Sequence, residues 1–239
     1  MKEVFLKSID NTKIALNHYN HNSDSVVILC PGWFMTKDSA VFKNIAKDFA
    51  KHFDVIAMDF RGHGKSGGFY TFTSNEEKDL ACVVEYAQQF YKKIYLCGFS
   101  LGGALVILHG AKYNNVSKIV AISAPSDFMK IENRMYSPDA WIPTLFDKFE
   151  PLRWFTIRAG FPLLKKDRPI DFVDKINVPT MFIAGEKDPT VFPWHTENLY
   201  NNAVCKKEYK LFKKTRHAED LYIDYPQEFI KTCVDWFSD

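Results

Sequence analysis

The chain has 239 residues, of which 46% are hydrophobic and 25% charged, a composition typical of a soluble globular protein with a large core. Its 31 basic and 29 acidic residues give a formal net charge of +2, and the basic residues are scattered along the sequence. This balance argues against a nucleic-acid partner, because such proteins concentrate positive charge on one face or element.

The cysteine pattern and the N-terminus exclude several further classes. Five cysteines are widely spaced and form no C-x-x-C pair, so neither a zinc knuckle nor a redox motif is predicted. The N-terminal segment M-K-E-V-F-L-K-S-I-D lacks the apolar region of a signal peptide, and no run approaches the roughly 18–20 apolar residues of a membrane span. We therefore expect a cytoplasmic protein without a membrane span, and we predict no metal ion and no cofactor.

Short apolar runs alternate with amphipathic segments along the chain. The first two runs predict an antiparallel hairpin, and the later β-branched runs predict buried strands. The predicted strands cover 4–9, 13–19, 25–29, 54–59, 94–97, 117–122, 179–184 and 207–212, and the predicted helices cover 38–51, 76–90, a stretch from 101 onward, and 227–237. This alternation predicts an α/β fold built from parallel βαβ units.

Residues 125–177 break the alternation. They separate two predicted strands and are rich in Pro, Trp and Phe. Ordinary connections in such folds are only a few residues long, so we predict an inserted cap over 125–177 on a core formed by 1–124 and 178–239. Aromatic side chains of the cap and of the core are expected to line an apolar pocket, and the candidates for substrate contact are Phe34, Phe99, Trp141 and Phe155.

The segment Gly98-Phe99-Ser100-Leu101-Gly102 has the form G-x-S-x-G and lies between a predicted strand and a predicted helix. A sharp turn from strand to helix strains its central residue, and the flanking glycines remove Cβ atoms that would clash with nearby backbone. The turn also places the Ser100 hydroxyl beside the unpaired N–H groups of the helix N-terminus. Ser100 is therefore the predicted nucleophile.

A nucleophilic serine needs a general base and a carboxylate that orients the base. Among seven histidines, His217 is the predicted base, because it follows the last predicted strand on a loop that leads to the final helix. His63 also follows a strand, but within Arg61-Gly62-His63-Gly64 we interpret it as a structural residue that fixes its loop by hydrogen bonds.

Asp188 is the predicted acid, since it lies just after the strand over 179–184. The chain order Ser, Asp, His is the order found in triads that are built around this type of elbow. Glu186 and Asp127 also follow predicted strands and remain the alternatives.

Two backbone N–H groups are needed to bind the oxyanion that forms during acyl transfer. The residue after the nucleophile, Leu101, supplies one of them. The turn Gly32-Trp33, after the strand over 25–29, is expected to supply the other through the Trp33 N–H, with Phe34 as the alternative donor.

With these motifs together, the chain resembles the α/β-hydrolase superfamily over almost its full length, and most of all the small serine esterases and lipase-like hydrolases with a cap between strands six and seven. The matching segments are Pro31-Gly32-Trp33, Asp59-Phe60-Arg61-Gly62-His63-Gly64-Lys65-Ser66, the elbow around Ser100, Asp188 and His217. Two positions depart from the common pattern: Pro31 replaces a His before the oxyanion glycine, and Arg216 replaces a Gly before the catalytic His.

The resemblance implies an eight-stranded, mostly parallel twisted sheet flanked by helices, with a small inserted cap. It also implies a serine hydrolase that cleaves carboxylic esters with small to medium apolar or aromatic acyl groups, a small-molecule substrate, and no nucleic-acid partner. The same triad could instead cleave a thioester, an amide or a carbon–carbon bond, or the protein could be a ligand-binding receptor with low turnover.

Overall fold

The computed structural model describes residues 1–131, 138, 142, 150–161 and 164–239. Its strands are β1 (Lys2–Lys7), β2 (Lys13–Tyr19), β3 (Ser25–Cys30), β4 (Asp54–Met58), β5 (Lys93–Phe99), β6 (Lys118–Ile122), β7 (Thr180–Gly185) and β8 (Lys207–Phe212). Its α-helices are α1 (Ala40–Phe49), α2 (Glu76–Gln88), α3 (Leu101–Tyr113), α4 (Pro151–Thr156), α5 (Pro193–Asn202), α6 (Asp220–Asp224) and α7 (Pro226–Ser238). Single-turn 3₁₀ helices cover Phe128–Lys130, Pro169–Asp171 and Val173–Lys175. Over the described ranges, no helix is both long enough and apolar enough to span a membrane.

The eight strands form one sheet in the order β1-β2-β4-β3-β5-β6-β7-β8. Strand β2 pairs antiparallel with both β1 and β4, and all the other neighbours are parallel. The predicted α/β fold with a mostly parallel eight-stranded sheet is therefore confirmed. Because β3 to β8 run in one direction, the loops that follow them lie at one edge of the sheet, where open α/β sheets place their sites.

Strand β5 lies between β3 and β6 and is buried on both faces, as the continuous apolar run 94–97 predicts. Successive side chains of a strand point to opposite faces. Accordingly, Ile94 and Leu96 join the core on one side of the sheet, whereas Tyr95, Cys97 and Phe99 join the core on the other side.

Helices cover both faces of the sheet. Helix α3 packs on one face, where Leu105, Val106 and Ile107 are fully buried. Helices α1 and α7 cover the other face through apolar residues at helical spacing, which include Phe42, Ile45 and Phe49 in α1 and Phe229, Cys233 and Phe237 in α7. The two cores hold β5 rigidly, and with it the turn that begins at Ser100.

The segment between β6 and β7 contacts the core at several described points. Tyr70, in the loop after β4, bonds to the segment through its backbone: its N–H donates to the Arg158 carbonyl at 2.8 Å, and its carbonyl accepts from the Gly160 N–H at 2.7 Å. The Arg158 N–H donates to the Gly62 carbonyl at 2.7 Å. Residues 158–160 are thus tied to the loop that follows β4.

Candidate active site

Ser100 occupies a strained turn between β5 and α3. Its backbone has φ 54° and ψ −118°, in the positive-φ region that side-chain-bearing residues rarely adopt. The Ser100 N–H donates to the Ile122 carbonyl at the end of β6, at 2.8 Å. The geometry is that of a strand–turn–helix elbow, as the G-x-S-x-G spacing predicts.

Two glycines allow other backbone segments to approach the elbow closely. A Cβ atom on Gly102 would lie 2.2 Å from the Cys30 carbonyl oxygen, far inside van der Waals contact. A Cβ atom on Gly32 would lie 2.8 Å from the Cβ atom of Ser100. The turn after β3 is therefore packed directly against the elbow.

The two predicted oxyanion donors have no competing partner among the described residues: neither the Trp33 N–H nor the Leu101 N–H makes a hydrogen bond there. The alternative donor is already engaged, since the Phe34 N–H donates to His63 Nε2 at 3.3 Å. Phe34 also has a left-handed backbone, with φ 64°. This geometry favours Trp33 over Phe34 as the second donor.

His63 is a structural residue of this turn. Its Nδ1 lies 3.3 Å from the Arg61 carbonyl, so these partners assign the proton to Nδ1 and leave Nε2 to accept from Phe34. Burial lowers the pKa of His63 to about 4, because the charged ring would lose its hydration. The neutral ring keeps Nε2 available as an acceptor, in agreement with the role predicted from its loop.

His217 and Asp188 form a hydrogen-bonded pair. The distance from His217 Nδ1 to Asp188 Oδ2 is 2.6 Å, and the carboxylate is almost fully buried. The other carboxylate oxygen, Oδ1, accepts from the N–H groups of Thr190 and Val191, each at 2.9 Å. Three donors thus fix the carboxylate, and the pair leaves Nε2 of the imidazole for a reacting group.

The two alternative acids are engaged elsewhere. Glu186 Oε2 accepts from the Lys214 N–H at 2.9 Å, which braces the loop before His217. Asp127 Oδ1 accepts from the Met129 N–H at 2.9 Å and so caps the 3₁₀ turn that begins at Phe128. Neither carboxylate is the partner of His217.

A short chain of hydrogen bonds links the His217 loop to the elbow. The Ala218 N–H donates to Ser123 Oγ at 3.1 Å, and Ser123 directly follows Ile122, whose carbonyl accepts from the Ser100 N–H. Ser123 and Ala218 both have left-handed backbones, with φ 47° and 49°. Ser123 is not apparent as a site residue from the sequence, because a single serine after a strand carries no local signal of a contact 95 positions away.

The predicted substrate contacts that the structure describes differ in their burial and in their neighbours. Phe34 is half-buried, with its ring centroid 4.8 Å from that of Trp154 in α4, and Phe155 is 85% exposed. Phe99 is fully buried among core rings and lies 5.0 Å from Phe42, so its side chain is not kept as a substrate contact. Trp141 lies outside the described residues.

The fold agrees with the comparisons to known proteins. Residues 25–150, more than half of the chain, match the family model described as the alpha/beta hydrolase fold. The chain belongs to the α/β-hydrolase family. The matched segment contains Ser100 and the turn at Trp33, whereas Asp188 and His217 follow it in the sequence.

Individual α/β-hydrolases are similar to this chain over nearly its whole length. The human serine hydrolase BPHL is 23% identical over an alignment of 264 residues, gaps included, that covers 98% of this chain and 88% of that protein. An esterase from Pyrococcus furiosus has a TM-score of 0.79 at 22% identity, covering 99% of this chain and 91% of its own. An esterase from Exiguobacterium antarcticum has a TM-score of 0.78 at 18% identity, with complete coverage of both chains. At these identities, the two structural matches show the fold alone.

Proposed function

We propose that the chain is a serine esterase that cleaves carboxylic esters with small to medium apolar or aromatic acyl groups. The observation that carries this proposal is the 2.6 Å contact between His217 Nδ1 and Asp188 Oδ2, at the sheet edge where the Ser100 elbow lies. The names of the similar proteins, a serine hydrolase and two esterases, support the same reaction class.

In the proposed reaction, Ser100 Oγ attacks the ester carbonyl carbon while His217 Nε2 accepts the hydroxyl proton. Asp188 holds the imidazole in the tautomer that leaves Nε2 free and stabilises the imidazolium that forms. The carbonyl oxygen becomes an oxyanion, which the N–H groups of Trp33 and Leu101 bind. His217 then protonates the departing alcohol. Water attacks the acyl-enzyme in turn: His217 Nε2 accepts a proton from the water and returns it to Ser100 Oγ as the carboxylic acid leaves.

The apolar acyl group is proposed from the aromatic surroundings of the oxyanion turn. The Trp33 ring lies 5.0 Å from Tyr70 and 4.9 Å from Phe72, and the Phe34 ring contacts Trp154. Such rings favour apolar or aromatic groups over charged ones. Within this proposal residues 125–177 form the cap, and Phe155 and Trp141 are its candidate substrate contacts.

A Ser100→Ala variant tests the proposal with p-nitrophenyl esters of increasing acyl length and with a benzoate ester. We expect ester hydrolysis to fall by about 10⁴-fold or more, because no nucleophile remains for the acyl-enzyme. Ser117→Ala is the matched control: its hydroxyl accepts from the Ile94 N–H near the start of β6, at the opposite edge of the sheet. This control should keep wild-type turnover.

The same assay separates the alternative functions. Unchanged turnover in Ser100→Ala contradicts the serine-esterase mechanism. Labelling of Ser100 by a fluorophosphonate without ester turnover would support a ligand-binding receptor. Faster cleavage of a thioester, an amide or a carbon–carbon bond than of esters would indicate that the enzyme acts on that bond instead. Expression with a fluorescent tag tests the proposed cytoplasmic location.

A further inference from the structure

Arg153 is a buried arginine in α4, within the segment between β6 and β7. Its side chain is only 2% exposed, and each of its nitrogen atoms donates to a carboxylate. Nη1 and Nη2 contact the two oxygens of Glu219 at 2.8 and 3.0 Å, and Nε contacts Glu150 at 2.8 Å. This is the bidentate geometry in which a guanidinium binds a carboxylate most strongly.

Glu219 lies in the loop that carries His217, so this ion pair joins α4 to the loop of the proposed base. Glu219 follows His217 by two residues and is itself 2% exposed. The residue between them, Ala218, is held from the core side by Ser123 Oγ. Contacts from the end of β6 and from α4 therefore both hold the loop that carries the proposed base.

The other carboxylate partner of Arg153 extends the connection to a third element. Glu150 Oε1 accepts from the Ala40 N–H at 2.7 Å, at the first residue of α1, where helix N–H groups lack intrahelical partners. Arg153 thus joins α4, the N-terminus of α1 and the His217 loop. A buried charge with this many partners is costly to release from any one of them.

We infer that Arg153 is a positioning residue for His217: through Glu219 it holds the base in place only while residues 150–156 are docked on the core. This inference rests on the proposed function. Removal of the guanidinium leaves the Glu219 carboxylate buried without this partner, and the carboxylate then moves towards water and displaces the loop. Substrate that packs against α4 stabilises the docked arrangement and therefore the orientation of the base.

Other arginines of the same segment make different contacts and provide a control. Arg158 donates to backbone carbonyls of the loop after β4, including that of Gly68 at 3.1 Å. Arg168 is about half exposed; it pairs with Asp171, three residues along the chain, and more distantly with Asp127, at 3.5 Å. Arg168→Ala therefore removes an arginine–carboxylate pair from the same segment without touching the His217 loop.

The experiment compares Arg153→Ala with Arg168→Ala by two measurements. The first is the rate constant for phosphonylation of Ser100 by a small fluorophosphonate, which depends on the base and little on the acyl pocket. The second is the downfield proton resonance of the His217 Nδ1–H bonded to Asp188, assigned by its loss in His217→Gln. We expect Arg153→Ala to slow phosphonylation by roughly 10²-fold, because small misplacements of a catalytic group have effects of that size.

In the same variant we expect the resonance to be lost or broadened, and added guanidinium ion to restore part of the rate by occupying the vacated site. Arg168→Ala should behave as wild type in both measurements. A sharp His217 resonance and a wild-type rate in folded Arg153→Ala would overturn the inference. Equal losses in Arg168→Ala would also overturn it, since they would indicate a general loss of stability.

Glu219→Ala is the second variant if Arg153→Ala does not fold. It cuts the link to the His217 loop while Arg153 keeps Glu150 as a partner, and it should reproduce the slow rate and the broadened resonance. Wild-type behaviour of folded Glu219→Ala would contradict the inference. A wild-type protein that fluorophosphonate does not label contradicts the proposed function instead, and the His217 resonance then still decides the role of Arg153.

Discussion

The two sides of the candidate active site are held by different kinds of contact. On the nucleophile side, backbone segments approach so closely that a Cβ atom on Gly102 would lie 2.2 Å from the Cys30 carbonyl oxygen. On the base side, side chains hold the His217 loop through the Ser123 hydroxyl and the Arg153–Glu219 pair. Added atoms should therefore damage the first side, whereas removed polar groups should damage the second.

Substitutions on the two sides should therefore affect different properties: the stability of the domain on the nucleophile side and the rate of reaction on the base side. A close backbone approach cannot relax around an extra methyl group without moving β3 or α3, so the penalty falls on the stability of the whole domain. A lost hydrogen bond in the His217 loop adds no atoms between packed segments, so we expect the penalty to fall mainly on the orientation of the proposed base. Substitutions on each side, measured for both stability and rate, test this separation.

Asp188→Asn should reduce kcat by about 10⁴-fold, because an amide at this position favours the wrong tautomer of the base. The free energy of unfolding should change far less than the barrier to reaction, since the isosteric amide preserves the packing. Ester hydrolysis and urea unfolding of the same preparation measure the two quantities. Glu186→Gln is the control and should keep activity within roughly 2-fold of wild type. Similar losses in both variants would contradict the assignment of the acid.

Gly102→Ala should lower the free energy of unfolding by at least about 3 kcal/mol or prevent folding. The added methyl group meets the carbonyl oxygens of Cys30 and Pro31, at 2.2 and 2.5 Å, and these backbone atoms cannot move aside by a side-chain rotation. Urea unfolding followed by tryptophan fluorescence measures the change. Gly67→Ala is the matched control, because its nearest new contacts lie at 3.5 Å. Equal stability of the two variants would show that steric approach does not fix the elbow.

On the nucleophile side, His63 is a polar contact, so its contribution to stability can be tested through the pH dependence of unfolding. Its pKa falls to about 4 on burial, so the unfolded chain binds its proton below about pH 6.5 and the folded chain does not. The stability contributed by the neutral ring is complete above about pH 6.5 and falls by up to about 3 kcal/mol as the pH drops towards 4.

The His63→Gln variant should therefore lose less stability than wild type when the pH is lowered from 7 to 4. Unfolding free energies at several pH values measure the difference. Burial also lowers the pKa of His109 to about 4. His109 remains in the variant, so the variant should keep the part of the pH dependence that His109 contributes. An identical pH dependence in both proteins would mean that the ring is not held neutral.

Ser123→Ala should lower kcat by about 10-fold, equivalent to about 1.4 kcal/mol, because the Ala218 N–H loses its buried acceptor and the His217 loop shifts. Ser126→Ala removes a similarly buried hydroxyl, one that lies 2.8 Å from His195 instead of supporting the His217 loop. We expect the two variants to lose comparable stability and only Ser123→Ala to lose rate. Stopped-flow acylation measures the rate, and equal rates would remove Ser123 from the support of the base.

Much of the fold follows from local sequence patterns. The β-branched run over 25–29 corresponds to β3, and the apolar spacing over 76–90 corresponds to α2, with boundaries shifted by only one or two residues. Phe99 could also have been placed correctly, because the two-residue period of a strand puts it on the opposite face from its neighbours.

The sequence predicts Asp188 as the acid, but local patterns do not exclude Glu186. Glu186 and Asp188 are two residues apart in one loop, and both follow β7. Only the path of the loop decides that Asp188 reaches His217 while Glu186 turns back to the Lys214 N–H. The same holds for Phe34 and Trp33, which differ as oxyanion donors because His63 already accepts from the Phe34 N–H.

The sequence by itself determined the order of the strands and helices and the turn at Ser100, because these follow from hydrophobic period and backbone sterics within a few residues. The tertiary structure decided which partners meet. Arg153 and Glu219 are 66 positions apart, and Ser123 and Ala218 are 95 positions apart. No local pattern encodes such pairs, because their contact depends on how β6, α4 and the His217 loop pack together in space.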